Sequence, residues 1–216
     1  MILWLPNDVD LRTIPRGLAR LERRGLEIRL TSDLGPHTKY YRALSEILPN
    51  QVLVTADDDI VYPRTWLARL LSASSRTPEA VWCYRARQVR RSASGLVPYR
   101  TWPYAHLEHP SAGLFFTGVG GAVYPPALIE HLARAGTTFT HGCLYADDVW
   151  LNGVAAQAGI LVGVVDGRSR SQTPIFGSQG SALARSNVLG GDNDRILASV
   201  FPDLPGYLDP PRGASA

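Results

Sequence analysis

The chain has 216 residues, of which 45% are hydrophobic and 19% are charged, and its formal net charge is +3. These proportions are typical of one folded domain with a hydrophobic core, and they exclude a disordered, collagen-like or coiled-coil protein. The 22 basic residues are 21 arginines and one lysine. We attribute this bias to overall coding composition, and we predict no nucleic-acid partner because the arginines are dispersed and no nucleic-acid-binding motif accompanies them.

No segment has the features of a membrane-spanning helix or a secretory signal. Residues 110–129 lack Asp, Glu, Lys and Arg, but prolines and glycines interrupt them, which argues against a spanning helix. Residues 1–6 (MILWLP) lack a basic region followed by a long apolar stretch, so we predict a cytoplasmic protein. Arginine clusters at 20–24 and 85–91 leave open a peripheral contact with phosphate or with the anionic inner face of the membrane. A solvated charged face is the simpler explanation for both clusters.

The two cysteines do not indicate a disulfide or a zinc site. Cys83 and Cys143 lie 60 positions apart and neither belongs to a CxxC motif, whereas both kinds of site show closer or more numerous cysteines. We therefore expect two buried thiols.

Hydrophobic periodicity predicts strands that alternate with helices along most of the chain. The predicted strands are residues 2–5, 26–31, 51–56, 80–84 and 160–165. The predicted helices are residues 11–24, 38–48, a helix that starts at Pro63, 125–135, 147–158 and 194–201. Residues 85–111 read as a long aromatic and proline-rich connection, and residues 168–191 read as a loop. This order predicts an α/β fold with a mostly parallel central sheet flanked by helices.

Three adjacent carboxylates, Asp57 to Asp59, follow the most apolar predicted strand. In open α/β sheets, ligands bind beyond the carboxyl ends of the strands. Like charges this close repel one another, and a divalent cation or hydrogen-bond donors would relieve the repulsion. On an extended segment Asp57 and Asp59 face the same side, so their oxygens could share one Mg²⁺ or Mn²⁺ while Asp58 points away. The alternative is an acidic turn that caps the helix near Pro63.

A second acidic pair, Asp147 and Asp148, opens the predicted helix 147–158. Aspartate at a helix N-terminus is ordinary capping chemistry. The alternative is that one carboxylate caps the helix while the other points into a cleft and acts as a general base.

Four segments resemble, in this order, those of GT-A fold glycosyltransferases of the family-two-like kind found in bacterial surface-polysaccharide clusters. They are residues 33–40 (DLGPHTKY), 52–63 (VLVTADDDIVYP), 117–126 (TGVGGAVYPP) and 146–150 (ADDVW). The resemblance covers residues 2–165 and implies a single GT-A-like domain over residues 1–216. Its nucleotide- and metal-binding half would be residues 1–110, and its acceptor and catalytic half residues 111–216. Residues 1–5 resemble the second strand of such domains, so we expect the usual first strand to be lacking.

The resemblance also implies a metal-dependent and inverting transfer of a sugar from a nucleotide-diphosphate donor. The acceptor would be a hydroxyl of a saccharide or of a lipid-linked acceptor in surface-polysaccharide synthesis. The implied roles are Asp148 as the catalytic base with Asp147 in reserve, Asp59 and Asp57 as ligands of Mn²⁺ or Mg²⁺, Asp57, Asp58 and Lys39 at the nucleotide, and Gly120 and Gly121 beside the donor sugar.

Two parts of such a site remain open in the sequence. The acceptor platform would draw on aromatic rings, for which the candidates are Trp102, Tyr104, His106 and His109. Related enzymes often use a histidine beyond the catalytic acid as a further metal ligand, but no histidine follows His141. The candidates to replace it are Asp166, Asn187, Asp192 or a water molecule, while Arg168 and Arg170 could instead bring positive charge to the diphosphate.

Two other classes of protein compete with the transferase. A truncated or non-catalytic GT-A-like binding or scaffold protein would keep the fold without turnover. A nucleotidyltransferase also uses paired carboxylates and a metal, but it should show a glycine-rich phosphate loop near the first strand, and the sequence has none there.

Overall fold

The computed structural model describes residues 1–93, 95–170, 173–175 and 191–203. Its strands are β1 (Ile2–Pro6), β2 (Glu27–Thr31), β3 (Leu53–Thr55), β4 (Ile60–Val61), β5 (Val81–Cys83), β6 (Ala86–Gln88), β7 (Arg91–Ser92), β8 (Gly95–Leu96), β9 (Leu114–Phe116), β10 (Ala122–Tyr124), β11 (Val162–Val164) and β12 (Thr173–Pro174). Its α-helices are α1 (Arg16–Glu22), α2 (Thr38–Tyr41), α3 (Trp66–Arg76), α4 (Pro126–Ala135), α5 (Asp147–Gln157) and α6 (Asp192–Val200). The predicted alternation of strands and helices is confirmed as a mixed α/β architecture.

The N-terminal unit is a strand, a helix and a second strand that pairs in parallel with the first. Ile2 lies opposite Glu27 and Pro6 opposite Thr31. The helix between them is shorter than the predicted 11–24, because Pro15 lacks an N–H and disfavours a helical conformation at the residue before it. A single 3-10 turn, Leu11–Thr13, precedes Pro15.

The central sheet has four strands in the order β11, β5, β10, β3. Strand β11 pairs in parallel with β5, but β10 is antiparallel to both of its neighbours, β5 and β3. The prediction of a mostly parallel sheet is therefore wrong, since two of its three pairings are antiparallel. The direction of β10 depends on the long connection from β5 to β9, since β10 follows β9 after one short turn, Gly118–Gly120.

The connection 85–111 is an ordered arm with strands of its own. Strand β6 pairs with β9, with Ala86 opposite Phe116, and β7 pairs with β8. On the other side of β6, the N–H of Ala105 donates to Ala86 O at 2.9 Å, and the N–H of Gln88 donates to Pro103 O at 2.8 Å. The arm leaves the sheet along β6 and returns along β9, and this reversal makes β10 antiparallel to β5.

The core lies around helix α5. Nine of its eleven residues are buried, as expected for a helix that is apolar on most of its faces. The largest fully buried side chains are Trp102, Tyr40, Tyr124, Phe115, Phe116, Phe139, Leu70, Leu114, Leu128, Leu132 and Leu151. Both cysteines are free and buried, as predicted. No helix in the described part of the chain has the length and apolar character needed to cross a membrane.

The predicted loop 168–191 lies partly outside the described residues. Within it, β12 pairs antiparallel with β4, with Thr173 opposite Val61. The N–H of Ile175 then donates to Asp59 O at 2.7 Å. This short described piece therefore runs beside the first acidic cluster.

Candidate functional site

Asp57 lies just beyond the end of β3, at the carboxyl edge of the central sheet. Its N–H donates to Tyr62 Oη at 3.0 Å, and that hydroxyl donates to Val119 O at 3.3 Å. The phenol of Tyr62 thus connects the first acidic cluster to the glycine-rich turn that follows β9. The two segments lie more than fifty residues apart in the chain, and the fold brings them together.

Lys39 joins the two acidic clusters. Its Nζ atom lies 2.9 Å from Asp57 Oδ1 and 3.1 Å from Asp147 Oδ2. The three side chains are 23%, 22% and 10% exposed, respectively, so this ion-pair network is only partly open to solvent. Burial opposes the charge of the ammonium, but the carboxylates of Asp147, Asp57 and Asp148 outweigh it and hold the pKa of Lys39 well above its usual range.

Gly118 leaves room for the ammonium of Lys39, because it has no side chain. A Cβ atom at Gly118 would lie 3.2 Å from Lys39 Nζ and 3.4 Å from Asp148 Oδ1. Both distances place the residue within contact of the charged groups. Position 118 is therefore where the lysine, the second acidic pair and the turn after β9 meet.

Asp148 is the carboxylate whose electrostatics are most altered. The N–H of Gly118 donates to Asp148 Oδ1 at 2.8 Å. The pKa of Asp148 is raised to about 7, chiefly by burial and next by the negative charge of Asp147, while Lys39 and the Gly118 N–H oppose the rise. A carboxylate with a pKa near neutrality can both accept and release a proton, which is what general-base catalysis requires.

Asn152 fixes the position of the helix turn that carries Asp148. Its Nδ2 donates to Phe116 O at 2.8 Å and to Asp148 O at 2.7 Å, and its Oδ1 accepts from the Phe116 N–H at 2.9 Å. The side chain is buried, and it satisfies both backbone groups at the end of β9. Sequence reasoning missed this residue, although a lone amide in an apolar helix one turn after Asp148 is a usable signal.

His37 precedes α2, the helix that carries Lys39, and anchors its start. It is fully buried, stacks on Phe139 at 4.0 Å between ring centroids, and donates from Nε2 to Cys143 O at 2.8 Å. Its Nδ1 accepts from the hydroxyl of Tyr40 at 2.7 Å. Burial lowers the pKa of His37, so the ring is neutral and binds α2 to the loop before α5. The helix that carries Lys39 is thereby attached to the loop that precedes Asp147.

The glycines of the predicted donor-sugar loop pack against the protein's own side chains. Gly121 has φ 82°, and a Cβ there would lie 2.3 Å from Trp66 Cζ2. A Cβ at Gly120 would lie 3.0 Å from Tyr84 Cβ. Trp66 Nε1 also donates to Gly120 O at 2.9 Å. Close packing accounts for both glycines, and their place beside a donor sugar stays a prediction.

The predicted metal ligands are of the right chemical type, since Mg²⁺ and Mn²⁺ bind one or two carboxylates together with substrate phosphates. The chain turns at Asp58 and Asp59, so the strand alternation that would aim Asp57 and Asp59 at one ion does not hold there. Asp57 contacts Lys39 instead. Among the described residues, no group of three or more His, Cys, Asp or Glu could hold a metal. The described carboxylates therefore offer at most a two-ligand site that donor phosphates would complete.

Two of the residues considered as further metal ligands, Asp166 and Asp192, form ion pairs with arginines. Asp166 pairs with Arg69 and, at 3.3 Å, with Arg170. Asp192 pairs with Arg195 in the first turn of α6. Asn187 lies outside the described residues. Asp58, which was predicted to contact the nucleotide, is exposed in the turn after β3.

The candidate acceptor residues fall into two environments. Trp102 is 1% exposed and packs on Tyr99 and Phe115 in the core, so its ring offers no face to a ligand. Tyr104 is 40% exposed, and His106 and His109 are also exposed. The structure therefore keeps Tyr104 as a candidate contact and places Trp102 in a packing role.

The geometry gathers Asp57, Asp147, Asp148 and Lys39 at one edge of the sheet, with Gly118 in contact with both Asp148 and the ammonium. The chain matches no protein-family model, and no curated protein is significantly similar to it in sequence. The site itself is therefore the basis for a functional assignment.

Proposed function

We propose that this chain is an inverting glycosyltransferase that moves a sugar from a nucleotide-diphosphate donor to a hydroxyl of a saccharide or lipid-linked acceptor. The observation that supports the proposal is the meeting of the two acidic clusters on Lys39, beside Gly118. A GT-A-like arrangement of the domain and a cytoplasmic site of action, at the inner face of the membrane, belong to the same proposal.

Asp148 is the base in this mechanism. The acceptor oxygen attacks the anomeric carbon, the bond from that carbon to the diphosphate oxygen breaks, and Asp148 takes the hydroxyl proton. One displacement from the opposite face inverts the anomeric configuration. The Gly118 N–H holds Asp148 Oδ1 at 2.8 Å, which leaves the other carboxylate oxygen to receive the proton.

Lys39 and Asp57 form the donor side. The ammonium of Lys39 lies between the carboxylates of Asp57 and Asp147, so it separates the nucleotide side of the site from the base and reduces repulsion among the acids. Asp57 and Asp59 would hold Mn²⁺ or Mg²⁺ together with the donor phosphates. Such an ion stabilises the charge that develops on the leaving diphosphate.

The proposal is tested first by calorimetric titration of UDP and GDP into the purified chain, with and without Mn²⁺. We expect one nucleotide to bind, more tightly with the metal, and Asp59→Asn to weaken binding at least about tenfold, which corresponds to roughly 1.4 kcal/mol. Asp8→Asn is the matched control, because Asp8 is an exposed acid in the N-terminal unit. A folded sample that binds neither nucleotide contradicts the proposal.

Turnover separates catalysis from binding. With the nucleotide sugar that matches the preferred base, Asp148→Asn should keep nucleotide affinity within about twofold and lower the release of nucleoside diphosphate by roughly 10²–10⁴. Release is measured with a coupled enzymatic assay.

One observation favours a second candidate, a non-catalytic nucleotide-binding relative. Lys39 already forms ion pairs with Asp57 and Asp147, so both carboxylates have a cationic partner without a bound metal. Nucleotide binding without turnover of any donor would support this candidate over the transferase.

A further inference from the structure

Two arginines of the basic cluster turn inward instead of toward solvent. Arg85 and Arg87 are half-buried, whereas Arg90 is exposed. The Nε atoms of Arg85 and Arg87 are buried and have no hydrogen-bond partner. No carboxylate of the described residues forms an ion pair with either guanidinium. Buried N–H donors without a hydrogen-bond acceptor are unfavourable, and on a cationic group an anion is the strongest acceptor.

The aromatic ring of Tyr104 holds both guanidinium groups in place. Its centroid lies 5.2 Å from Arg85 Cζ and 5.0 Å from Arg87 Cζ. Arg85 Nη2 donates to Tyr104 Oη at 2.9 Å, and Arg87 Nη1 donates to Trp102 O at 2.6 Å. The two cations are therefore fixed before any ligand arrives, which lowers the entropy cost of binding one.

The backbone of Arg85 contacts the segment that holds Asp148. The N–H of Thr117 donates to Arg85 O at 2.9 Å, and the next residue, Gly118, donates to Asp148 Oδ1. The hydroxyl of Thr117 is buried and has no partner, so a third unused polar group belongs to a residue whose backbone is hydrogen-bonded to that of Arg85.

Tyr99 lies between the arginine pair and Asp148 in electrostatic terms, since charges from both sides act on its phenol. It is buried, and Arg87 Cζ lies 5.1 Å from its ring centroid. Burial raises the pKa of Tyr99, the Asp148 carboxylate raises it further, and Arg87 and Arg85 lower it. The phenol is therefore within electrostatic reach of the base and of both cations.

We propose that Arg85 and Arg87 bind an oxyanion, a carboxylate or a phosphate group, carried by the acceptor whose hydroxyl Asp148 deprotonates. The assignment of the anion to the acceptor rests on the proposed function, while the anion site itself rests on the arginines alone. Guanidinium groups bind carboxylate and phosphate through paired N–H donors. An acidic or phosphate-linked saccharide is then the substrate class, and a neutral sugar lacks the group that this site takes.

The test follows the arginine Nε–Hε signals in two-dimensional ¹⁵N–¹H NMR spectra of the full chain. Inorganic phosphate and glucuronate are titrated separately, with glucose as the neutral control. We expect the Arg85 and Arg87 signals to shift together and to saturate with one of the two anions, while the Arg90 signal moves little. Signals are assigned from Arg85→Gln, Arg87→Gln and Arg90→Gln, and the anion that saturates at lower concentration identifies the group.

The variants also measure the affinity. Arg85→Gln should weaken anion binding at least tenfold, and Arg90→Gln less than twofold. Arg85→Gln leaves the Arg87 contact with Trp102 intact, and Arg85→Lys preserves the charge if the Gln variant unfolds. Shifts that do not saturate, or equal losses for Arg85→Gln and Arg90→Gln, would overturn the anion site.

Nucleotide titration of the same samples separates the two proposals. Nucleotide binding without anion binding would refute the anion site and leave the proposed function standing. Anion binding without nucleotide binding would do the reverse. A nucleotide that displaces phosphate from Arg85 and Arg87 would assign the pair to the donor and overturn the acceptor role.

Discussion

The two acidic clusters have nearly the same composition but occupy different environments. Asp57 to Asp59 lie in a partly exposed turn between β3 and β4, whereas Asp147 and Asp148 begin a helix of which nine residues are buried. The second cluster contains Asp148, whose pKa is raised to about 7, chiefly by burial. The comparison shows that adjacent aspartates do not define a site by themselves, because the surrounding packing decides which of them can act as a base.

Lys39 makes the clusters interdependent. One ammonium contacts a carboxylate of each, so a change on the exposed side alters the electrostatics of the buried side. Single substitutions can therefore be chosen to remove contacts of one acidic cluster, of both clusters, or of neither.

Removal of Asn152 should affect the buried cluster most. Asn152→Ala deletes three hydrogen bonds and leaves both buried backbone groups of Phe116 without a partner. We expect the free energy of unfolding to fall by about 3 kcal/mol, as measured by urea denaturation. Gln157→Ala, at the exposed end of the same helix, is the control and should stay within about 0.5 kcal/mol. Equal effects of the two substitutions would show that Asn152 has no special structural role.

Lys39→Met removes the link between the clusters. We expect a loss of about 2 kcal/mol, between the values for exposed and for fully buried ion pairs, because the network is partly open to solvent. Urea denaturation again provides the measurement. Asp57→Asn in the Lys39→Met background should recover part of the loss by removing one unpaired charge, and a further loss instead would contradict the electrostatic explanation.

Asp148→Asn should change how stability depends on pH. The pKa of Asp148 is raised in the folded state, so the unfolded chain releases this proton at lower pH. Its ionisation therefore makes the wild type less stable as pH rises toward 7, and the effect levels off above that. Between about pH 5 and pH 7 we expect the free energy of unfolding of the wild type to fall by about 1.5 kcal/mol relative to that of Asp148→Asn. This is roughly half of what one proton could contribute over that pH range, because Asp148 is only half-buried.

Thermal melts of both proteins across this pH range, converted to free energies, provide the measurement. Parallel pH profiles would mean that the environment of Asp148 does not raise its pKa.

Tyr62→Phe tests the exposed cluster. It removes the acceptor for the Asp57 N–H and the donor to Val119 O, but the ring can still pack against Trp66. We expect a loss of about 1 kcal/mol in denaturation experiments. No loss would indicate that solvent replaces both hydrogen bonds and that the turn is open.

Asp58→Asn should have the smallest effect on stability. Asp58 is exposed in the turn, and substitutions at such positions usually change stability by less than about 0.5 kcal/mol. Denaturation measurements that show a larger change would reveal a contribution of this carboxylate to the turn.

Local patterns in the sequence predicted much of the secondary structure but little of its pairing. The apolar runs at β1, β2, β5 and β11 were identifiable because a short apolar run between turn residues is a local signal for a strand. The antiparallel direction of β10 was not, because it depends on how the arm 85–111 leaves the sheet and returns. Strand direction is a property of the connection and not of three apolar residues.

The candidate site divides in the same way. The acids at 57–59 and 147–148 stand out in the sequence because they interrupt apolar segments. The role of Lys39 as their shared partner, the anchoring by Asn152, and the burial of Trp102 all depend on residues distant in the chain. A sequence pattern reports the residue types but not their partners.

The sequence by itself determined the mixed α/β class, the order of most elements and the two groups of aspartates. Only the tertiary structure decided that the groups meet on Lys39, that Asp148 is the carboxylate with a raised pKa, and that Arg85 and Arg87 both pack on the ring of Tyr104. The physical reason is the separation in sequence between the interacting residues. Periodicity and helix starts arise from interactions among residues a few positions apart, whereas desolvation and charge pairing depend on which distant segments the folded chain brings into contact.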